Sequence, residues 1–198
     1  MNHSKILILI AVSLSMMLIA CSKDDETTDN IIKFDGGELK LYRGYQYKYS
    51  SALPETGSTP FVVTLIGEGV SLDQNTSSLS GIGSIITFYM YSESEAEIKQ
   101  GDYTIDIFST KPAFSADSCE ILYNYDFAQD TGVIFNIKAG TFKVVNLGSI
   151  MEYDINVVAD TVNYRGNHYV EGNVVVSDSI VIDNILFKGT FKGPVQTL

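Results

Sequence analysis

The feature that most constrains the fold of this chain is a two-residue alternation of apolar and polar side chains. Tyr153, Ile155 and Val157, for example, alternate with Asp154 and Asn156. This period places the apolar side chains on one face of an extended strand and the polar ones on the other. Similar segments recur along the chain between stretches rich in Gly, Ser, Thr and Asn, a pattern typical of strands joined by turns.

Many short strands with regular turns predict an all-β protein. The specific prediction is a single antiparallel β-sandwich over residues 31–198, with a closed lipocalin-like β-barrel as the alternative. Strands are predicted at residues 38–41, 45–50, 61–67, 85–91, 103–108, 120–127, 133–138, 141–147, 153–159, 169–177 and 185–191. One short helix is predicted over 93–99, because Ser92 and Ser94 are each followed three residues later by a glutamate. Residues 73–84 are predicted to form a polar, glycine-rich loop.

A weak repeat predicts how several strands begin. The pattern Ile-Lys-x-Gly, followed two residues later by an aromatic side chain, occurs at 98–103 and 137–142, and a shortened form occurs at 187–191. The glycine allows a bend or a positive φ at the start of the strand. The aromatic residue is then predicted to fill the core, so the repeat is interpreted as scaffold.

Three tyrosines are the candidate binding residues. Tyr45, Tyr47 and Tyr49 are predicted to share one face of a strand, and aromatic rings with polar tips bind both sugars and protein partners. Tyrosines at this spacing also occur on the interior face of sheets, and the chain has no Trp, the residue most often used as a sugar platform. The interior interpretation is favoured, and the binding platform is the alternative.

The amino-terminal segment predicts export and a lipid anchor. Lys5 precedes an apolar run over residues 6–20 that is too short for a comfortable transmembrane helix. Ala20-Cys21 resembles the lipobox of bacterial lipoproteins, which implies cleavage after residue 20 and acylation (diacylglycerol and palmitate) of Cys21. Several acyl chains hold a protein stably in a bilayer, so the lipid bilayer is the first predicted partner.

The residues after Cys21 predict the side of the membrane on which the protein lies. Lys23, Asp24, Asp25 and Glu26 resemble the export signal of Bacteroidota surface lipoproteins. The layout as a whole resembles the small surface lipoproteins of that phylum, whose domains are commonly β-sandwiches. The resemblance implies a lipid-anchored protein of the outer membrane that faces the cell exterior. Residues 1–20 are the predicted signal peptide, 21–30 the lipidated tether and 31–198 the folded domain.

Charge and cysteine content narrow the function. The chain has 13 basic and 24 acidic residues; loss of residues 1–20 removes Lys5 and no acid, which leaves a net charge of −12. Nucleic acid is therefore excluded as a partner, because phosphate binding needs a cationic surface. With Cys21 acylated, Cys119 has no disulfide partner within the chain and is predicted to be a small buried residue.

No catalytic or metal signature is present in the sequence. His168 is the one histidine of the mature chain, so neither a Ser-His-Asp triad nor a zinc site is predicted. Asp126 and Asp130 flank a turn that they are predicted to cap, without the ligand spacing of an EF-hand. The 24 acidic residues leave a carboxylate pair of the glycosidase kind open. No cofactor is predicted, and the protein is predicted not to be an enzyme.

Two tripeptides are candidate modification sites. Asp160-Thr161-Val162 and Asp178-Ser179-Ile180 resemble the O-glycosylation signal of Bacteroidota secreted proteins. Both are predicted to lie in turns, where Thr161 and Ser179 would be exposed.

Together these features predict a non-catalytic surface lipoprotein that binds a glycan or a protein. One alternative is a structural subunit or anchor of a surface assembly, which would offer a free strand edge. Another is a barrel that carries a small apolar ligand in an internal cavity.

Overall fold

The computed structural model describes residues 30–106, 110–164, 169–171, 174–176 and 181–198. Within these ranges the chain is built from strands, turns and irregular connections, so the predicted all-β fold is confirmed. None of the described residues forms a helix of the length and hydropathy needed to cross a membrane.

The strands are longer than the sequence pattern indicates. Predicted segments 38–41 and 45–50 merge into one strand, as do 133–138 and 141–147. The strands are β1 (Ile31–Phe34), β2 (Gly37–Lys48), β3 (Thr59–Gly67), β4 (Val70–Asp73), β5 (Ser78–Ser92), β6 (Gly101–Ile105), β7 (Ser115–Asp126), β8 (Thr131–Asn146), β9 (Met151–Tyr164), β10 (Tyr169–Glu171), β11 (Val174–Val176), β12 (Val181–Gly193) and β13 (Val195–Thr197).

One eleven-stranded sheet forms most of the described structure. Its strand order is β1-β12-β9-β8-β6-β7-β5-β3-β2-β13, with β4 added to β5 and a separate β10–β11 hairpin. β1 pairs with β12 on one side and with β2 on the other, so the sheet curls round and encloses a core in a sandwich-like arrangement. The predicted antiparallel pairing is correct for most neighbours, but β6–β7 and β13–β2 are parallel, which makes the sheet mixed.

Aromatic side chains fill the enclosed core. Phe88 stacks on Phe142 with ring centroids 4.5 Å apart, and Tyr153 lies 5.6 Å from Phe88. Tyr103 and Phe142, the aromatic residues of the two full repeats, are fully buried and directly opposite each other on β6 and β8. The interpretation of the repeat as scaffold is confirmed.

A β-bulge in β2 decides which side chains face outward. Leu39 and Leu41 point into the core, but the register with β3 shifts between Leu41 and Arg43. An extra residue in a strand moves every later side chain to the opposite face. Tyr45 and Tyr47 therefore lie on the outer face of the sheet. Tyr45 is still buried there in a second apolar cluster, so the predicted interior position is wrong for Tyr47 and Tyr49, which are exposed.

A second bulge has the same effect in β7. The alternation predicts that Ile121, Tyr123, Tyr125 and Phe127 share one face. The register with β8 shifts between Tyr123 and Asp126, where Asn124 has a φ of 48°. Ile121 consequently packs in the enclosed core, whereas Tyr125 joins a separate apolar cluster on the outer face.

Two predicted irregular features also differ from the structure. Residues 93–99 are not helical, because the Ser92 hydroxyl donates to the carbonyl of Glu97 (2.9 Å) and accepts from the amide of Lys99 (3.2 Å). These bonds occupy backbone groups that a helix would pair. Residues 73–84 belong mostly to a hairpin of β4 with the first part of β5.

Candidate functional site

The β4–β5 hairpin covers part of the outer face of the sheet. Its Val70 packs with Tyr45, Ile66, Ile85 and Leu122 in an apolar cluster outside the enclosed core. At the base of the hairpin two backbone segments approach closely: a Cβ at Gly81 would overlap the carbonyl oxygen of Gly69. The glycines of the predicted loop therefore allow the hairpin to lie against the sheet.

A groove lies between the hairpin and the sheet, and we call it the hairpin groove. It has a cavity volume of about 170 Å³. Its floor is formed by alternate outward side chains of β2, β3 and β5, namely Tyr45, Tyr47, Val62, Thr64, Thr87 and Tyr89.

The walls of the groove come from distant parts of the chain. Leu72, Ser77 and Leu79 of the hairpin form one side, and Leu198, beyond β13, contributes to the lining. The side-chain Nε2 of Gln74 donates a hydrogen bond of 3.0 Å to the side-chain Oε1 of Gln196 and so connects the hairpin turn to β13. Strand β13, which adds to β2, and the β4–β5 hairpin thus define the groove together.

The three candidate tyrosines, two in β2 and one just after it, differ in exposure. Tyr45 is 4% exposed, Tyr47 37% and Tyr49 61%. Beyond the groove, the ring of Tyr49 meets Tyr89 edge to face at a centroid distance of 5.7 Å. Burial, with smaller contributions from Tyr89 and Tyr49, raises the pKa of Tyr47. The structure therefore brings two of the predicted residues to the groove and places the third next to it.

The side chains that line the groove are uncharged. Hydroxyl groups come from its tyrosines, Ser77, Thr64 and Thr87, and the Thr64 and Thr87 oxygens lie 3.3 Å apart. The remaining side chains are aliphatic. A surface of this composition can stack against flat apolar faces and exchange hydrogen bonds with neutral polar groups.

Asp117 belongs to a different cluster, in β7 between its neighbours β5 and β6. Its carboxylate forms an ion pair with Lys111 and accepts a hydrogen bond of 3.2 Å from the Tyr91 hydroxyl. The Lys111 ammonium also lies 5.9 Å from the centre of the Tyr91 ring. Nearby Cys119 is buried, and desolvation raises the pKa of its thiol, which favours the unreactive protonated form. The expected buried position of Cys119 is confirmed.

The other predicted site residues are accounted for as follows. Asp126 caps its own turn, since its carboxylate accepts hydrogen bonds from the amides of Ala128 (2.9 Å) and Gln129 (3.1 Å), as expected. Thr161 was predicted to lie in a turn, but it lies in β9 and is 3% exposed, so its hydroxyl is inaccessible in the folded state. Among the residues that the structure describes, no group of three or more His, Cys, Asp or Glu side chains could hold a metal ion.

Several predicted residues lie outside the described ranges. These are Cys21 with the proposed export signal Lys23, Asp24, Asp25 and Glu26, as well as His168 and Ser179. The predictions made for them stay predictions.

A second depression lies between β1 and β12 and has a volume of about 480 Å³. Lys33 and Lys188 line it together with Asp35 and Asp183, so cations and carboxylates balance each other. Phe34 is the single aromatic side chain in this lining, so the depression offers neither an extended aromatic surface nor a net charge that would select a ligand.

Sequence reasoning identified the tyrosines but missed most of the groove. Thr87 and Tyr89 lie in a predicted strand, but no binding role is predicted for them. Leu79 lies in the predicted loop, and Leu72 lies just before it. The outward position of Thr64, Thr87 and Tyr89 could have been inferred from alternation with the apolar Val63, Phe88 and Met90. No protein-family model, curated protein or solved structure matches the chain.

Proposed function

We propose that this protein is a non-catalytic binding module, held by a lipid at Cys21 on the outer face of the outer membrane, which contacts a glycan or a protein through the hairpin groove and Tyr49. The observation that carries the proposal is the outward, partly exposed series Tyr47, Tyr49 and Tyr89 beside a groove. Aromatic rings with polar tips are enriched in contact surfaces.

The position of the groove favours a binding module over a carrier. A carrier would hold its ligand inside the curled sheet, and there Phe88, Phe142 and Tyr153 are in ring contact. The hairpin groove instead lies on the opposite face of the sheet, which supports contact with an external partner. The lack of a carboxylate among its lining side chains supports a role without glycoside hydrolysis.

A structural role in a surface assembly would require a free strand edge. In the described ranges, the two lateral ends of the curled sheet pair through β1, and short strand β13 occupies part of the remaining edge of β2. Among the described strands β4 pairs with β5 alone, and its unpaired side is only 4 residues long. This arrangement supports a side-chain contact surface more than strand addition.

The binding role is tested by the retention of cells that display the full chain. The cells are applied to immobilised mucin glycoprotein, either intact or after its glycans have been removed. We expect the double variant Tyr47→Ala/Tyr49→Ala to lose retention. Leu147→Ala is the matched control, because it removes an exposed apolar side chain from the β8–β9 turn, outside the groove lining. Equal retention of both variants on both surfaces would contradict the proposed function.

The anchor is tested separately. Cys21→Ala should release the protein from the membrane fraction, because acyl chains are the proposed anchor. Neutralising Asp24, Asp25 and Glu26 should leave the anchor intact but protect the protein from protease added to whole cells. If the Cys21→Ala protein stays in the membrane fraction after a carbonate wash, the proposed lipid anchor is refuted. If protease cleaves wild type and the neutralised variant equally, the proposed export signal is refuted.

A further inference from the structure

We infer that the ligand of the hairpin groove is a neutral sugar residue, most simply one unit of an uncharged glycan. This inference rests on the proposed binding function and selects one of its two partner classes. It follows from the charge, the chemistry and the size of the groove.

Charge selects a neutral ligand. The lining side chains include no cation that could pair with a phosphate, sulfate or carboxylate group, and no carboxylate that could pair with an amine. The chain carries a net charge of −11, which repels anions at long range. A charged group would have to lose water in the groove without a side chain of opposite charge to pair with, and such desolvation is costly.

The chemistry of the lining matches a ring that has one apolar face and a polar edge. Tyr47 and Tyr89 offer aromatic surface, and Thr64 and Thr87 offer hydroxyl groups in the same floor. A pyranose presents C–H groups on its faces and hydroxyl groups around its edge, so both parts of the lining find a partner. A purely hydrocarbon ligand would cover the Thr64 and Thr87 hydroxyl groups and leave them no partner besides each other.

The backbone beneath the groove is already paired. Tyr45, Thr64 and Thr87 are register partners across β2, β3 and β5, and so are Tyr47, Val62 and Tyr89. The ligand therefore meets a continuous sheet face rather than a strand edge. This arrangement disfavours an extended peptide bound by main-chain hydrogen bonds, the usual mode of strand addition.

Size and position favour one sugar unit in the groove and a second beside it. The volume of about 170 Å³ lies below the roughly 300 to 1,000 Å³ of pockets for drug-sized ligands. Tyr49 continues the aromatic surface past Tyr89, with its ring nearly perpendicular to the Tyr89 ring at 76°. A linked neutral disaccharide should therefore bind more tightly than either of its monosaccharides.

The test measures saccharide binding by calorimetry and saturation-transfer NMR on the full chain, solubilised in a detergent without a sugar headgroup. The neutral probes are glucose, galactose, mannose, N-acetylglucosamine and their homodisaccharides. Glucuronate and glucosamine are the charged counterparts. The variants are Tyr47→Ala and Thr87→Val, with Leu147→Ala as the control outside the groove.

We expect at least one neutral saccharide to bind, with an affinity about tenfold lower in Tyr47→Ala, which corresponds to about 1.4 kcal/mol. Thr87→Val, which replaces a hydroxyl by a methyl group of similar shape, should weaken binding without unfolding the protein, whereas Leu147→Ala should bind like the wild type. The charged counterparts should bind at least about tenfold more weakly than the neutral sugar.

Three results would overturn the inference: no neutral saccharide binds, Tyr47→Ala and Leu147→Ala bind equally well, or a charged sugar binds best. The cell-retention experiment distinguishes failure of the sugar inference from failure of the proposed binding function. Tyrosine-dependent retention of cells on deglycosylated mucin, together with no saccharide binding, would leave a protein-binding function standing and reject the sugar.

Discussion

The bulge between Leu41 and Arg43 predicts a steep gradient of stability loss along one strand. Leu41 lies in the enclosed core before the bulge, and Tyr45, Tyr47 and Tyr49 follow it with rising exposure. Without the bulge, Leu41, Tyr45 and Tyr47 would all face inward and their truncation to alanine would cost similar free energies. With the bulge, the costs should fall in the order of burial.

The magnitudes follow from what each side chain contacts. Leu41→Ala should lower the free energy of unfolding by about 2–5 kcal/mol and Tyr45→Ala by about 3–5 kcal/mol, since both side chains are almost completely buried. Tyr47 is 37% exposed and borders an open groove, so its truncation loses transfer free energy without creating a closed void. Scaling about 1.5–3 kcal/mol for a fully buried side chain by the buried fraction gives about 1–2 kcal/mol for Tyr47→Ala. Tyr49→Ala should cost about 1 kcal/mol or less.

The measurement is urea unfolding of each variant, followed by far-UV circular dichroism at a constant m-value. Tyr47→Ala is the decisive variant, because its expected cost differs most between the two arrangements. A loss from Tyr47→Ala as large as that from Leu41→Ala would show that the ring is interior. The bulge, the outward tyrosine series and the proposed binding site would then be refuted together.

Three further comparisons test other parts of the structure. Tyr153→Phe should stabilise the protein by about 1 kcal/mol, because its buried hydroxyl has no hydrogen-bond partner among the described residues. Tyr103→Phe should destabilise it by about 1 kcal/mol, because it loses a 2.8 Å bond to the Lys99 carbonyl; opposite signs in urea unfolding would contradict these contacts. Gly81→Ala should cost about 1–3 kcal/mol more than Gly57→Ala, since both glycines have positive φ but an added Cβ meets the Gly69 carbonyl only at Gly81; equal midpoints would refute the close approach of the hairpin. Burial raises the pKa of Glu120, so the folded state keeps this proton to a higher pH than the unfolded chain, and stability falls as the pH rises through that interval. Glu120→Gln should therefore raise the urea midpoint at neutral pH and leave it unchanged in acid, below the ordinary glutamate pKa; a lower midpoint at neutral pH would contradict the sign.

Local patterns in the sequence determined the fold class and much of the core. The alternation of Tyr153, Ile155 and Val157 predicted a buried face, and all three side chains are fully buried. The repeated glycine and aromatic pattern located Tyr103 and Phe142 in the core. These predictions succeed because strand formation and the two-residue period depend on neighbours in the chain.

The side of the sheet on which the tyrosines lie was decided only by the tertiary structure. Between Leu41 and Arg43 the pairing of β2 with β3 shifts by one residue, which is the bulge. One extra residue is enough to turn the later side chains of β2 to the opposite face. The alternation of Tyr45, Tyr47 and Tyr49 is the same on either face, so their spacing cannot distinguish core from surface.

The groove likewise needs the whole fold. Tyr47, Leu72, Tyr89 and Leu198 lie far apart in the sequence and meet because β3 and β5 pair beside β2, the β4–β5 hairpin folds back over them, and β13 adds to β2. None of these long-range pairings leaves a periodic signal in the segments it joins. The sequence by itself therefore determined that the chain forms strands around an aromatic core, and strand register and hairpin packing decided which of its aromatic residues became a surface.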